Sequence, residues 1–262
     1  MPTLKFNHSI LEYIQNKYGI EYNSKEWEEK MPSIGCVVEG NDDLDIEIEI
    51  FPDRTDLLSH ETIARAARSF LNSAEYSPDF EVVEGDIVMT VDPSLEEIRP
   101  VILGAVVRGV DNGVSSEEKN EFIQSLMEHQ EKLHLTLGRK RKFASIGVHD
   151  LSALRPPFNV ISVDKNHMFT PLAEEKEMSI EDILELHPKG KEYAHLMENM
   201  EKYPVIIDSD KKILSFPPII NGNHTTVTEN TTDFFIDVTG WDVRSCEACL
   251  LLICLSLTER EG

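Results

Sequence analysis

The sequence predicts an α+β protein. The stretch LDIEIEIF alternates apolar and acidic residues strictly, as a half-buried strand does. Several other segments repeat apolar residues at helical spacing. The two kinds of segment then follow one another without the steady strand-helix alternation of a parallel-sheet protein. With 262 residues, 40% of them hydrophobic and 28% charged, the chain can bury one large core or two ordinary ones, and disorder throughout is excluded. We expect a small N-terminal α/β domain over residues 1–90 and a larger mixed-sheet domain over 91–262.

In order along the chain, residues 7–18 place Ile10, Leu11, Ile14 and Tyr18 on one helical face. SKEWEEK at 24–30 reads as a second helix capped by Ser24, with acids in its first turns. In LDIEIEIF, Leu44, Ile46, Ile48 and Ile50 face one way. HETIARAARSFLN is a helix with Ile63, Ala67, Phe70 and Leu71 inward, and SAEYSPD is a loop. FEVVEGDIVMTVD and RPVILGAVVRGVD read as strands, the second so continuously apolar that a central position is expected.

SSEEKNEFIQSLMEHQEKLHLTLG is the longest helix. Ser115 and Glu118 form a capping box, Ile123, Leu126, Met127, Leu133 and Leu137 line its apolar stripe, and Gly138 supplies a stop. The basic run RKRK (Arg139, Lys140, Arg141, Lys142) leads into a strand, FASIGVHD. A loop with Pro156, Pro157 and Pro171 precedes helices near 179–187 and 189–200. Strands near 204–208 and 212–216 run into SFPPIING. FFIDVTG is a further strand and WDVRSCEACLLLICLSL a closing helix. No internal repeat is visible. TEREG stops directly after the apolar helix, so the chain reads as a piece of something longer.

Charge narrows the function. Lys and Arg total 25 against 48 Asp and Glu, a formal net charge of -23, and both halves are acidic: 7 against 19 in residues 1–90, 18 against 29 in the rest. Such a surface repels phosphate, so autonomous tight nucleic-acid binding is disfavoured and an RNA partner needs further contacts. The N-terminus has no signal-peptide pattern, and the run ACLLLICLSL is about half of the ~20 residues a membrane span needs. Four cysteines are too few for a disulfide framework. Cys246 and Cys249 lack a second ligand pair and read as helix core. The expected setting is reducing and cytoplasmic, with no metal and no membrane.

P-loop, G-x-G-x-x-G, H-E-x-x-H and G-x-S-x-G signatures are absent. Three candidates remain. His149 beside Asp150, at a strand end, is a possible oriented base, with turn capping as its plainer reading. RKRK is either a local phosphate contact or a solvated helix end. After SFPPII, the residues Asn221, Asn223, His224, Thr225, Thr226 and Thr228 offer amides and hydroxyls with no carboxylate before Glu229. They suit recognition of a neutral polar group or orientation of a water molecule. The plainer reading is a hairpin with Asn-Gly at its tight turn.

Several phrases together resemble one family. EIEIFPDRTDLLSHETIARAARSFL, RKFASIGVHDLSALRPPF, FTPLA, HPKGKEYAHLM, YPVIIDSDKKILSFPPIING and FFIDVTGWD are similar to the N-terminal part of phenylalanyl-tRNA synthetase beta chains, the archaeal and eukaryotic form above all. The resemblance runs in order over nearly the whole chain. It implies a small beta-chain domain at 1–90 and, at 91–262, an editing domain that hydrolyses tyrosine mischarged onto tRNA(Phe). It implies an alpha-chain partner in a heterotetramer, and ATP and Mg2+ for the whole enzyme but no cofactor for these residues. Its editing pocket falls on Ser215, Pro217, Pro218 and Asn221, with Thr239 and Gly240 at a neighbouring strand end. The bacterial form carries a glutamate in the loop corresponding to about Gly222–His224, where this chain has amides.

On that resemblance, Asn221 and Ser215 orient a water or the ester, and Pro217 and Pro218 form a rigid wall. Asn223 joins the substrate-binding set, His149 is a further catalytic candidate, and Arg139 to Lys142 contact the tRNA. Two other readings stand beside this one: a noncatalytic module for subunit packing and tRNA placement, and an independent hydrolase using His149 and Asp150.

Overall fold

The computed structural model describes residues 3–72 and 82–260. Helices and strands are mixed throughout, the α+β class that the sequence predicts. Two compact units interleave in sequence. The first takes the described residues of Met1–Val82, Val110–Thr136 and Leu252–Gly262, the second Val83–Gly109 and Leu137–Leu251. The longest helix and the last residues of the closing helix, expected beyond residue 90 with the second domain, count with the first unit.

In the first unit the chain runs β1 (Thr3–Asn7), α1 (His8–Lys17), α2 (Ser24–Lys30), β2 (Cys36–Asn41), β3 (Asp45–Ile50), α3 (His60–Leu71) and, after an excursion into the second unit, α4 (Ser116–Leu135). The strands form an antiparallel sheet in the order β1-β3-β2. Ile46, Ile48 and Ile50 are fully buried, as the alternation requires, whereas Leu44 lies before the strand and is exposed. β1 and β2 carry too few apolar residues to show a period; Leu4 and Phe6 alone face the core from β1.

Four details depart from expectation. Asn23, not Ser24, caps α2, its side chain accepting from the amides of Lys25 and Glu26. Phe70 and Tyr18 are exposed, while Arg68 is buried, its guanidinium 3.8 Å from the Tyr18 ring. The capping box of α4 forms as read, but the helix ends at Leu135 with Thr136 as C-cap, short of Gly138. Phe122 rather than Ile123 is fully buried on α4.

Buried ions also stitch this unit. Glu259 pairs with Arg65 at 2.7 Å and with Arg68, and Arg260 pairs with Glu61 at 2.7 Å, with all three carboxylate-side contacts away from solvent.

The second unit contains β4 (Met89–Val91), β5 (Val101–Val107), β6 (Ala144–Asp150), β7 (Phe158–Val163), β8 (Met168–Phe169), β9 (Met178–Ser179), α5 (Ile180–Leu186), α6 (Pro188–Tyr193), β10 (Tyr203–Ile207), β11 (Ile213–Phe216), β12 (Ile220–Asn221), β13 (Phe234–Gly240) and the first part of α7 (Val243–Thr258). Of FEVVEGDIVMTVD, only Met89–Val91 is strand; residues 80 and 81 lie outside the described residues, as does the loop 73–79.

One sheet has the order β12-β11-β10-β7-β4, antiparallel except for β4 with β7. A second has the order β5-β13-β6. The five-stranded sheet is apolar on both faces. Val205 and Ile213 join a cluster with Ile180 and Ile183 of α5 and Tyr193 of α6. Their neighbours Ile206 and Leu214 join Phe158, Val160 and Phe235 of β13 in a second cluster. The alternation along β10 and β11 therefore glues helices to one side and the three-stranded sheet to the other.

β13, not β5, is central, and all seven of its residues are buried. β5 is an edge strand of intermediate burial despite its apolar run. An apolar run by itself fixes neither the burial of a strand nor its place in a sheet.

Candidate functional site

SFPPIING does not turn at Asn-Gly. Gly222 has φ -74° and ψ 142°, ordinary extended backbone. The reversal comes earlier, at Pro217–Pro218, whose peptide is cis; Ile219 N donates to Phe216 O at 2.8 Å to close it. β11 and β12 then pair with Ser215 opposite Asn221 and Phe216 opposite Ile220. Directly opposed residues of an antiparallel pair show their side chains on one face, so Ser215 and Asn221 stand together. The Asn221 carboxamide donates to Val148 O of β6 at 3.3 Å.

The polar run beyond Asn221 is held at several points. Leu172 N donates to Asn221 O, Asn223 N to Thr170 O, and Gly222 N to Leu214 O, each at 2.9 Å. A Cβ on Gly222 would fall 2.2 Å from Ile213 O, so only glycine lets this backbone lie on β11. Asn223 is exposed and its side-chain oxygen accepts from Ala173 N at 3.3 Å. His224 is half-buried; burial pushes its pKa down, and its Nε2 meets no hydrogen-bond partner among the described residues.

Beside this segment, β6 and β13 set a polar row into an apolar sheet. Ser145 lies opposite Thr239, Gly147 opposite Asp237 and His149 opposite Phe235, all on one face by the period of two. His149 and Asp237 are almost wholly buried and share a hydrogen bond of 2.7 Å from Nε2 to Oδ2. Nδ1 of His149 lies 2.8 Å from the Thr225 hydroxyl. A Cβ on Gly147 would sit 2.1 Å from Asp237 Oδ2, so the missing side chain makes room for that bond.

Asp150 is not the partner of His149. It accepts from Ser152 N at 2.9 Å and from Thr231 Oγ1 at 2.8 Å, capping turns instead. Adjacent residues on a strand point to opposite faces, which is why the sequence neighbour is excluded. The independent hydrolase built on His149 and Asp150 loses its geometry.

Arg99 organises the far end of the row. It is buried, and its guanidinium donates to Thr239 Oγ1 at 2.7 Å, Thr239 O at 2.8 Å, Ser145 Oγ at 3.0 Å and Arg141 O at 3.1 Å. Burial brings its pKa down to about 10. Thr239 is thus occupied by Arg99, and Gly240 is required by packing, since a Cβ there would meet Phe143 O at 1.9 Å and Cys246 Sγ at 2.6 Å.

The basic run splits. Arg139, Lys140 and Arg141 have φ of 48°, 55° and 65°, a left-handed turn rather than a helix end, closed by Phe143 N to Gly138 O at 2.8 Å. Arg139, Lys140 and Lys142 are exposed. Arg141 is buried: its Nη1 donates to Pro218 O at 3.1 Å and Ile219 O at 3.0 Å, and its guanidinium lies 4.4 Å from the Tyr193 ring. A surface phosphate contact at Arg141 is corrected to a brace behind the proline wall. The reason is hydrogen bonding: the turn leaves two carbonyls with lone pairs that the two N–H groups of one guanidinium nitrogen satisfy.

Ser215, Asn221, Pro217, Pro218 and Arg141 are therefore brought to one place, with His149 and Thr239 on the adjoining strands and Asn223 on the outer side of the loop. Arg99 and Asp237 complete the network together with Thr225 of the polar run, and neither of the two is marked by any motif. Asp237 alone leaves a trace in the sequence, a single carboxylate inside the apolar FFIDV. Chemically the site offers amide and hydroxyl groups on a rigid frame, with its carboxylate tied to His149. That can orient a neutral polar substrate group and a water molecule better than it can abstract a proton. Among the described residues no group of three or more His, Cys, Asp or Glu side chains could hold a metal ion, and no helix is long and apolar enough to cross a membrane.

A B3/4 domain is the class this arrangement falls in: the family model so described matches residues 98–248. The wider comparison narrows that further. The chain is 32% identical to a crystal structure of an N-terminal fragment of the phenylalanyl-tRNA synthetase beta-subunit from Pyrococcus horikoshii, with a TM-score of 0.89 over 99% of this chain and 74% of that one. It is 45% identical over 233 residues to the phenylalanine–tRNA ligase beta subunit of Archaeoglobus fulgidus, and 47% identical over 233 residues to that of Methanosarcina acetivorans; in each case 89% of this chain is covered. The chain belongs to the phenylalanine–tRNA ligase beta-subunit family. It spans 41% and 42% of the length of those two relatives.

Proposed function

We propose that this chain is the editing region of a phenylalanine–tRNA ligase and hydrolyses the ester of tyrosine mischarged on tRNA(Phe). The observation that carries the reading is the juxtaposition of Ser215 and Asn221 on paired strands, beside a turn made rigid by Pro217, Pro218 and the Arg141 brace. Phenylalanine and tyrosine differ by one hydroxyl. An apolar pocket rejects added polarity weakly, whereas a site that hydrogen-bonds the hydroxyl discriminates strongly, because without it buried polar groups stay unpaired.

Ester hydrolysis needs little more than a positioned water, because holding the reactants in place supplies much of the barrier reduction. Asn221 and Ser215 hold the water and the ester in this mechanism, and the proline turn forms the wall. Thr239 and Gly240 close the strand end, and Asn223 borders the entry. Arg139, Lys140 and Lys142 contact tRNA phosphates, three exposed cations on an otherwise acidic chain. An alpha chain makes the aminoacyl ester with ATP and Mg2+ in the assembled ligase, so no step in these residues runs through either. The setting is cytoplasmic.

The test is hydrolysis of Tyr-tRNA(Phe) and Phe-tRNA(Phe), measured with the chain alone and in the assembled ligase. Selective release of tyrosine supports editing. No release in either form supports a noncatalytic packing module, and equal release of both amino acids defeats the discrimination argument.

A further inference from the structure

Every hydrogen bond of the buried Arg99 guanidinium ends on a neutral oxygen: the Thr239 hydroxyl, the Thr239 carbonyl, the Ser145 hydroxyl and the Arg141 carbonyl. Among the described residues no carboxylate lies within its hydrogen-bond reach, and Asp237 acts on it through space alone. A buried cation without a paired anion is costly, and space filling alone would be served by an apolar side chain. What the cation does follows from where its donors end. One end is Thr239 of β13; the other is the backbone of the turn at 139–141. Arg139, Lys140 and Arg141 all have positive φ, a conformation that L-residues resist. Such a turn needs holding, and Arg99 Nη2 holds it by the Arg141 carbonyl at 3.1 Å. From that same residue the Arg141 side chain runs to Pro218 O and Ile219 O. The two arginines therefore stand in series: Arg99 fixes the backbone from which Arg141 reaches the proline turn.

We propose that Arg99 is a positioning residue for the editing pocket, tying Thr239 at the end of β13 to the Pro217–Pro218 wall through Arg141. This rests on the editing reading above. Thr239 stands in the three-stranded sheet and the wall follows β11 of the five-stranded one, so no ladder hydrogen bond sets the spacing between them. The contact from Asn221 to Val148 O crosses between the two sheets once. The arginine pair makes a second crossing, at the wall itself. Arginine only donates, so Arg99 holds Thr239 Oγ1 by a lone pair, and the hydroxyl keeps its hydrogen for Ser145 or for a substrate group. Without Arg99 the pocket keeps its chemical groups but loses the fixed spacing on which a water-positioning mechanism depends.

Two measurements test this. Amide hydrogen exchange of the whole chain reads the relay without any activity. The Ile219 amide closes onto Phe216 O at 2.8 Å and is no partner of Arg99. In Arg99→Met its protection should nevertheless fall about tenfold, the effect of losing one hydrogen bond from a charged donor. Adding Arg99→Met to Arg141→Met should lower it no further than Arg141→Met does alone. Wild-type protection in Arg99→Met, or losses that multiply in the double variant as two independent lesions would, overturns the relay. Where Arg99→Met does not fold, Arg99→Gln takes its place with the same expected and overturning results, since its carboxamide ends well short of Nη2. In the assembled ligase, Arg99→Met should lower kcat for Tyr-tRNA(Phe) hydrolysis about tenfold with KM within about twofold, the loss of a group acting on the bound complex. Unchanged kcat, whatever KM does, overturns the positioning role. If wild type hydrolyses no ester, the editing reading fails, while amide exchange still decides the relay.

Discussion

Replacing Arg141 by methionine separates two roles for the basic run. Methionine keeps most of the buried volume but removes both donors to Pro218 O and Ile219 O and the cation over Tyr193. Hydrogen bonds from a charged donor contribute roughly 1.5–3 kcal/mol, and orphaned buried carbonyls cost about 1–3 kcal/mol. Allowing for partial relaxation, and adding about 0.5–2 kcal/mol for the ring contact, the loss should be about 3 kcal/mol. Arg141→Lys should fall between, since an ammonium keeps donors for the carbonyls but has no flat guanidinium face to lie on the Tyr193 ring. Urea denaturation of each variant gives the loss, and filter binding of tRNA over a salt series gives the other reading. Destabilisation with an unchanged salt slope supports the brace. A variant as stable as wild type that binds tRNA more weakly with a shallower salt slope would refute it.

Further outcomes are expected elsewhere in the chain. Burial in the first unit brings the pKa of His129 down to about 4, below its unfolded value of about 6.5. The unfolded chain therefore takes up the proton first, and stability falls as pH drops through that window, by about 2 kcal/mol at pH 5. Denaturation at pH 7 and pH 5 should show this fall, and His129→Gln should lack that share of it. Glu259→Gln leaves Arg65 and Arg68 facing a neutral group in a buried site, and a loss of about 3–5 kcal/mol in urea denaturation is expected. Gly147→Ala puts a methyl 2.1 Å from Asp237 Oδ2 and 2.7 Å from His149 Nε2. It should cost far more editing activity than an alanine on the exposed surface of the same sheet; equal activity would contradict the packing. Changing Lys140 and Lys142 together to Gln should lower the salt dependence of tRNA binding by a slope of roughly 0.7–0.9 per cation, and an unchanged slope would remove them from the phosphate contact.

What the sequence made legible follows the range of the interaction concerned. The alternation of Ile46, Ile48 and Ile50 and the Ser115–Glu118 capping box are local, and both form as read. β1, by contrast, exists because β3 offers it an edge, and its own five residues carry little pattern. The order β5-β13-β6 is a long-range outcome of pairing, so an apolar β5 could not reveal its edge position. At the site, the polar residues after SFPPII are legible as a composition, but the turn is not, because Asn-Gly is a strong local signal while the proline pair closes the chain first. His149 stood out beside Asp150, yet its partner lies 88 residues away on β13. Arg99 and Arg141 look like ordinary cations in sequence; only packing against free carbonyls and hydroxyls shows what they hold.

The central claim is that an uncharged carboxamide, backed by a braced turn, directs hydrolysis of the tyrosyl ester. Single-turnover release of tyrosine from Tyr-tRNA(Phe) by the assembled ligase carrying Asn221→Ala tests it most directly. Release should fall at least a hundredfold while the urea midpoint stays close to that of wild type, since the half-buried carboxamide makes one long bond of 3.3 Å to the protein. Release at the wild-type rate would contradict the account.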